Sequence, residues 1–212
     1  MTVPVGKGVE IEPGILRLRA ANPSPMTGDG TWTHLVGRRD VAVIDPGPAD
    51  PAHLEAILAA VPPGGRITAI LVTHAHLDHS ALAPWLAERT GCEVMAFGPT
   101  HAGRSLAMQR LVGAGLTGGG EGIDHAFRPD RDLVDGESVE GDGWRLEAVH
   151  TPGHMGGHLS FRLGVLLFPG DHVMGWAPSL VSPPDGDMGA YIRSLEQLAT
   201  RPWRRFLPTH GD

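Results

Sequence analysis

The sequence has few of the features that mark secreted or membrane proteins. It contains one cysteine, Cys92, in 212 residues, so no internal disulfide can form. It has no run of about 18 apolar residues, the length that a membrane-spanning helix needs. The N-terminal residues 1–7 have no apolar core of the kind that a secretory signal carries. These three absences predict a cytoplasmic protein that does not cross a membrane.

Excess positive charge is also absent. The formal net charge is −7, which gives no general electrostatic attraction to nucleic acid, although a local basic groove stays compatible with it. Hydrophobic residues make up 41% of the chain, which is enough for the core of one α/β domain of this length. Histidine, in contrast, is abundant, with 12 residues, and many of them lie in motifs.

The most informative stretch is residues 73–79, Thr-His-Ala-His-Leu-Asp-His. It follows an apolar run that predicts a buried strand (67–72) and precedes a predicted helix (80–89). His74, His76, Asp78 and His79 are therefore crowded where a strand meets a helix, and imidazole and carboxylate suit zinc. The alternative is a solvated histidine-rich turn that binds metal by accident. It is disfavoured because further candidate ligands follow later apolar runs.

Three later motifs carry such candidates. His150 follows a predicted strand (144–149) and opens His-Thr-Pro-Gly-His. Asp171 follows a second strand in Phe-Pro-Gly-Asp, and His210 follows the last strand in Leu-Pro-Thr-His-Gly. Each of these candidates stands at the end of an apolar run, as the first motif does.

The pattern His-x-His-x-Asp-His, with these motifs in the same order, resembles the metallo-β-lactamase superfamily, and the resemblance covers nearly the whole chain. It implies an α/β (α+β) fold, a four-layer αββα sandwich, whereas periodicity alone gives only α/β or α+β. It also implies one catalytic domain over residues 1–212. The sequence ends two residues after His210, before the helical module with which relatives continue, so it is expected to be either a minimal catalytic core or a shortened chain.

The resemblance also implies a ligand set for two zinc ions, and iron or manganese suits the same nitrogen and oxygen donors. The first ion would be held by His74, His76 and His150. The second would be held by Asp78, His79 and His210, and Asp171 would bridge both. Three neutral nitrogens leave zinc with a net charge and an open position, which lowers the pKa of bound water. Asp78 would also orient the nucleophile or deliver a proton, which makes it the predicted catalytic residue.

Three classes of function stay open. The first is a zinc hydrolase that uses a metal-bound hydroxide on an ester-like, thioester or lactone substrate, as the resemblance to the glyoxalase II-like and lactamase-beta-2-like members implies. The second is a metal-dependent nuclease or phosphodiesterase. The third is a metal-binding protein without turnover. A small-molecule partner is favoured by the acidic balance. Where the subgroup carries Asn and Tyr, this sequence has Trp32 and His34, so no role is transferred to those positions.

The remaining histidines and the local elements complete the predictions. His154 and His158 are either donors to the ligands or structural, His172 contacts either substrate or a ligand, His34 faces the mouth of the site, and His53, His101 and His125 lie at the surface. The 113–129 segment is glycine-rich, which predicts a mobile excursion over the site, with an ordered loop as the alternative. Strands are predicted at 15–20, 31–36, 41–44, 67–72, 93–97, 133–137, 144–149, 159–163, 165–168 and 206–207. Helices are predicted after Asp50, at 80–89, at 100–112 and after Asp187.

Overall fold

The computed structural model describes residues 3–117 and 122–212. Two β-sheets form the centre of the molecule. The larger sheet has the order β1-β2-β3-β4-β5-β6-β7, antiparallel from β1 to β4 and parallel from β4 to β7. Its strands are β1 Val9–Glu12, β2 Ile15–Arg19, β3 Trp32–Val36, β4 Asp40–Ile44, β5 Arg66–Leu71, β6 Val94–Ala96 and β7 Arg131–Asp132.

The smaller sheet has the order β12-β11-β10-β9-β8, and only the β11–β12 pair is parallel. Its strands are β8 Ser138–Gly141, β9 Trp144–His150, β10 Leu159–Leu163, β11 Leu166–Phe168 and β12 Arg205–Phe206. The five helices are α1 Pro51–Ala60, α2 Leu77–Ser80, α3 Ala83–Thr90, α4 Leu106–Gly113 and α5 Met188–Ala199.

Side-chain alternation along the strands builds the layers. In β4, Ala42 and Ile44 pack in the cluster between the two sheets, where Phe161 and Phe168 come from the smaller sheet. Val41 and Val43 face the opposite way, into the cluster under α1 and α3. On the far side, α5 covers the smaller sheet. The predicted αββα arrangement is confirmed.

Two helix starts follow the predicted capping chemistry. Asp50 accepts a hydrogen bond from the backbone N–H of Ala52 at 2.9 Å, and Pro51 occupies the first helical turn. Asp187 caps α5 in the same way through the N–H of Ala190. The predicted 100–112 helix starts later than expected, because Ser105 is its N-cap.

The predicted strand at 133–137 is wrong. The strands lie on either side of it, β7 before and β8 after. Leu133 is buried, but Val134 is 63% exposed and Gly136 has a φ of +79°, which is turn geometry. The chain passes from one sheet to the other here, because the N–H of Leu133 donates to Ala96 O in β6 and that of Gly136 donates to Ala148 O in β9. Strand β1 was not predicted.

Part of the glycine-rich 113–129 segment is fixed to the first motif. The backbone N–H of Leu77 donates to Gly122 O at 2.7 Å, and that of Asp124 donates to Ala75 O at 2.9 Å. Gly118–Gly120, at its centre, lie outside the described residues, so the mobility of this segment stays a prediction. Among the described residues, no helix combines the length and the apolar character that a bilayer crossing requires.

Candidate metal centre

The first motif begins in the loop that follows β5. Within this loop His74 and His76 are buried, with 3% and 9% of their surfaces exposed. His76 is the N-cap residue of α2, but its side chain makes no capping hydrogen bond. Its ring is therefore free to face the site. Asp78 and His79 lie on the short helix itself.

His74, His76 and His154 bring three ring nitrogens together. The His74 Nε2 and His76 Nδ1 atoms are 2.9 Å apart, and His154 Nε2 lies 3.2 Å from the first and 3.0 Å from the second. Burial lowers the pKa of all three rings, that of His76 to about 3. Three neutral imidazoles therefore converge on one point.

Hydrogen bonds on the other ring nitrogens fix the tautomers of two of these histidines. The Thr73 hydroxyl donates to Asp45 Oδ2, so its oxygen accepts from His74 Nδ1 at 3.0 Å. His154 Nδ1 donates to the carbonyl of Leu180 at 2.6 Å. In both rings the lone pair is consequently on Nε2, the atom that faces the cluster.

Converging lone pairs repel one another, and a cation relieves this repulsion. Two nitrogens bound to one tetrahedral zinc at about 2.0–2.1 Å are about 3.3–3.4 Å apart, close to the separations seen here. The donor chemistry of the cluster therefore fits a zinc-like ion.

His150 does not lie in this cluster, which corrects its predicted place beside His74 and His76. Its ring stacks on Phe97 with centroids 4.3 Å apart, and its Nε2 donates to Gly156 O at 2.9 Å. Side chains alternate along β9, so His150 shares the face of Leu146 and Ala148, which points between the sheets.

The chain must leave β9 before a side chain can reach the centre, and His154 does so from the following turn. The sequence carried no signal for this, because the predicted strand stops at residue 149 and His150 follows it. In the structure β9 includes His150, whereas His74, Asp171 and His210 all follow the end of a strand.

Asp78, His79 and His210 form a second cluster. His210 Nε2 lies 3.1 Å from Asp78 Oδ2, and His79 Nε2 lies 3.4 Å from the same oxygen. Burial alone would lower the pKa of His210, but the carboxylates of Asp171 and Asp78 outweigh it and raise the pKa to about 9. Burial would raise the pKa of Asp78, but the charges of His79 and His210 hold it at about 2. The structure thus brings together the three residues predicted for a second ion.

Asp171 lies between the two clusters. Its Oδ1 is 3.5 Å from His79 Nε2 and 3.4 Å from His210 Nε2, and its Oδ2 is 3.9 Å from His154 Nε2. Within the described part of the chain, neither His79 Nε2 nor Asp171 Oδ1 has a hydrogen-bond partner, although both are buried. Buried polar atoms without partners are costly, which is consistent with a position made for metal.

The glycine before Asp171 is needed for this approach. Gly170 has a φ of +54°, and a Cβ there would lie 2.8 Å from both Thr73 Oγ1 and His158 Nε2. A side chain at this position would displace the first motif or the ring beneath it.

Sequence reasoning missed Asp45, which ties three motif segments together. Its Oδ2 accepts hydrogen bonds from the hydroxyls of Thr73 and Thr209 at 2.8 and 3.0 Å, and from His79 Nδ1 at 3.0 Å. His79 is thereby fixed with Nε2 facing the centre. Asp45 is fully buried and has a φ of +51°, an uncommon conformation for a residue other than glycine. The available signal was an aspartate directly after the apolar strand β4.

The other histidines support the fold. His158 is fully buried, contacts Thr151 Oγ1 at 2.9 Å through Nδ1 and stacks on the ring of His74. His172 is also fully buried, packs against Tyr191 and does not line the cleft described below. Of its two predicted roles, the contact with a substrate in the cleft is therefore not supported.

The structure bears on three surface predictions and one rim prediction. His101 and His125 are exposed as predicted. His53 is only 2% exposed, and its Nε2 contacts the hydroxyl of Thr33 at 2.9 Å, so its predicted surface position is wrong. His34 is buried against Phe168 and not at the mouth of the site.

A cleft of about 660 Å³ opens above both clusters. Its floor contains His76, His154, Asp78, Asp171 and His210. Most of its wall is apolar and consists of Pro23, Met26, Pro48, Ala49, Leu77, Ala81, Met174 and Leu180. Among the described residues that line it, none is lysine or arginine.

Comparison with known proteins agrees with this geometry. The family model described as the metallo-beta-lactamase superfamily matches residues 26–210. The structure is similar to that of a beta-lactamase domain protein from Burkholderia ambifaria, with a TM-score of 0.77 and 25% identity over 100% of this chain and 70% of the other.

Two curated relatives are similar in sequence. The lactamase-like protein aptB of Emericella nidulans is 30% identical over 209 residues, which is 95% of this chain. The atrochrysone carboxyl ACP thioesterase of Aspergillus chevalieri is 29% identical over 208 residues, also 95% of this chain. The chain spans 58% of the length of each of these relatives.

Proposed function

Because the chain belongs to the metallo-β-lactamase superfamily, we propose that it is a zinc-dependent hydrolase of a small, uncharged acyl substrate, a thioester, ester or lactone. The observation that carries this proposal is the cleft. Its floor offers two groups of metal-binding side chains, and its wall is apolar. Such a site suits an apolar acyl group whose carbonyl reaches the floor.

We propose that His74, His76 and His154 hold one ion, that Asp78, His79 and His210 hold the other, and that Asp171 contacts both. Bound zinc would supply Lewis acidity and lower the pKa of a coordinated water. Iron or manganese suits the same donors. Asp45 supports the arrangement by fixing the His79 ring, and Thr73 does so by fixing that of His74.

Asp78 is the proposed acid–base residue. Its side chain lines the cleft, and in the metal-free protein the positive charges of His79 and His210 hold its pKa at about 2, so it is ionised at neutral pH. An ion held by these two histidines would supply the positive charge in their place. A hydrogen bond from the Thr31 hydroxyl at 3.3 Å orients the carboxylate. Asp78 Oδ2 can accept a proton from the attacking water and return it to the leaving group.

The lining of the cleft disfavours the nuclease alternative. Phosphodiester backbones are bound mainly through lysine and arginine, and the described cleft residues include neither. The thioesterase name of one relative supports an acyl substrate, although this chain spans only part of that relative. A single domain over residues 1–212 and a cytoplasmic location stay predictions.

A substrate panel tests the proposal. We expect purified, zinc-loaded protein to hydrolyse neutral thioesters or lactones and to leave phosphodiesters and single-stranded RNA intact. A parallel preparation of the Asp171→Ala variant controls for contaminating esterases. Turnover of phosphodiesters alone would contradict the acyl proposal. Full metal loading without turnover on any class would favour the non-catalytic alternative.

Metal content is a separate prediction. We expect elemental analysis to find up to two zinc ions per chain after reconstitution, because two sets of three side chains share Asp171. Dialysis against a strong chelator should remove both the metal and the hydrolysis, and added zinc should restore them. Protein that carries no transition metal even after reconstitution would contradict the metal site itself.

A further inference from the structure

His154 reaches the centre from a turn, whereas His74 and His76 follow a central strand directly. Unlike a strand, a turn is not held by the hydrogen bonds of a β-sheet, so its position depends on the segments that pack against it. The 152–157 turn is held between two such segments. One precedes α4, and the other precedes α5.

The segment before α4 contacts the turn through backbone atoms. Gly103 has a φ of +74°, and a Cβ there would lie 2.2 Å from Gly156 O. A Cβ on Gly156 would in turn lie 2.6 Å from the backbone nitrogen of Arg104. The two glycines therefore allow a backbone-to-backbone contact that no side chain could replace.

The segment before α5 is hydrogen-bonded to the same turn. The N–H of Gly156 donates to Asp185 O at 3.0 Å, and the N–H of Asp187 donates to Gly153 O at 2.8 Å. The loop that leads into this segment carries Leu180, whose carbonyl accepts from His154 Nδ1. This loop thus determines both the position and the tautomer of His154.

An ion pair joins the two segments across the turn. Arg104 Nε lies 3.1 Å from Asp185 Oδ1, and a second guanidinium nitrogen contacts the same oxygen. Asp185 is 4% exposed, and the Arg104 side chain is 20% exposed. The hydroxyl of Ser105 adds a hydrogen bond to Asp187 Oδ2 at 2.6 Å. The pair is well removed from solvent, so loss of one partner leaves a buried charge unmatched.

We propose that Arg104 and Asp185 are positioning residues that hold His154 in the cluster with His74 and His76. This inference rests on the proposed metal site. Neither residue lines the cleft, so the pair acts through the turn and not on substrate. Without the ion pair, the contact of the turn with both flanking segments loosens, and His154 moves away from His74 and His76.

The test compares metal affinity at the two sites by chelator competition. We expect Arg104→Ala and Asp185→Asn to weaken one site by about 10–100-fold, the range found for residues that orient metal ligands, and to leave the other site unchanged. The weakened site should be the one that His154→Ala abolishes. Arg104→Lys keeps the charge and should restore part of the affinity.

Arg89→Ala is the matched control. Arg89 also forms an ion pair, with Glu55 at 2.7 Å, but both side chains are at least half exposed, and the pair lies away from the turn. This variant should bind both ions as the wild type does. Wild-type affinity at both sites in Arg104→Ala, or equal weakening of both sites, would overturn the inference.

A readout without metal separates this inference from the proposed function. If the wild type binds no ion, the proposed function fails, and side-chain NMR of the metal-free protein decides the inference. The His154 ring signals should change in Arg104→Ala and not in Arg89→Ala. Identical His154 signals in all three proteins would refute the positioning role.

Discussion

Replacement of Asp78 by asparagine is expected to lower kcat by about 10²–10⁴-fold, the contribution of a positioned acid–base group. Asparagine has nearly the same shape, but it loses the charge and cannot accept the proton that Asp78 Oδ2 would take. The ion held by His74, His76 and His154 should stay bound, because Asp78 is not among its donors.

Steady-state kinetics on the substrate that the panel identifies, together with elemental analysis, checks this expectation. Asp29→Asn is the matched control, since the Asp29 side chain is 84% exposed and lies outside the cleft. Full activity in Asp78→Asn would make Asp78 a spare ligand and would contradict the proposed proton transfer.

The second large effect is expected from His154→Ala, compared with His150→Phe. Removal of the His154 ring takes one of three nitrogens from the first cluster. Loss of a residue that only orients a ligand costs up to about 100-fold in metal affinity, so loss of this ring should cost more. Hydrolysis should fall with it. In His150→Phe, the new ring can keep the stacking on Phe97 and loses only the hydrogen bond to Gly156 O.

Chelator competition and kinetics on both variants distinguish the two histidines. His150→Phe should bind both ions and keep most of its activity. If His150→Phe lost a metal ion and His154→Ala did not, the ligand set predicted from the sequence would be right and the assignment made from the structure would be wrong.

Local patterns in the sequence were sufficient for much of the scaffold. The apolar run before Thr73 predicts a buried strand, and Asp50 with Pro51 predicts a capped helix, because these signals depend on neighbours within a few residues. The same holds for the first metal-binding motif, in which four candidate side chains lie within six residues. Six of the seven predicted ligand positions, all except His150, lie in the clusters that the structure assembles.

Other features depend on contacts between segments that are distant along the chain, and the sequence did not specify these contacts. The burial of Asp45 beneath His79 joins residues 34 positions apart, and the contact between Arg104 and Asp185 spans 81 positions. No periodicity encodes such pairs. The apolar wall of the cleft is likewise assembled from side chains of several loops.

The sequence by itself determined most of the strand-and-helix order and the motifs that supply histidine and aspartate. Only the tertiary structure decided which histidine completes the first cluster. His150 and His154 are four residues apart in one motif, and both are imidazoles. The alternation of β9 turns His150 towards Phe97, and the turn held between the segments before α4 and α5 brings His154 to the centre.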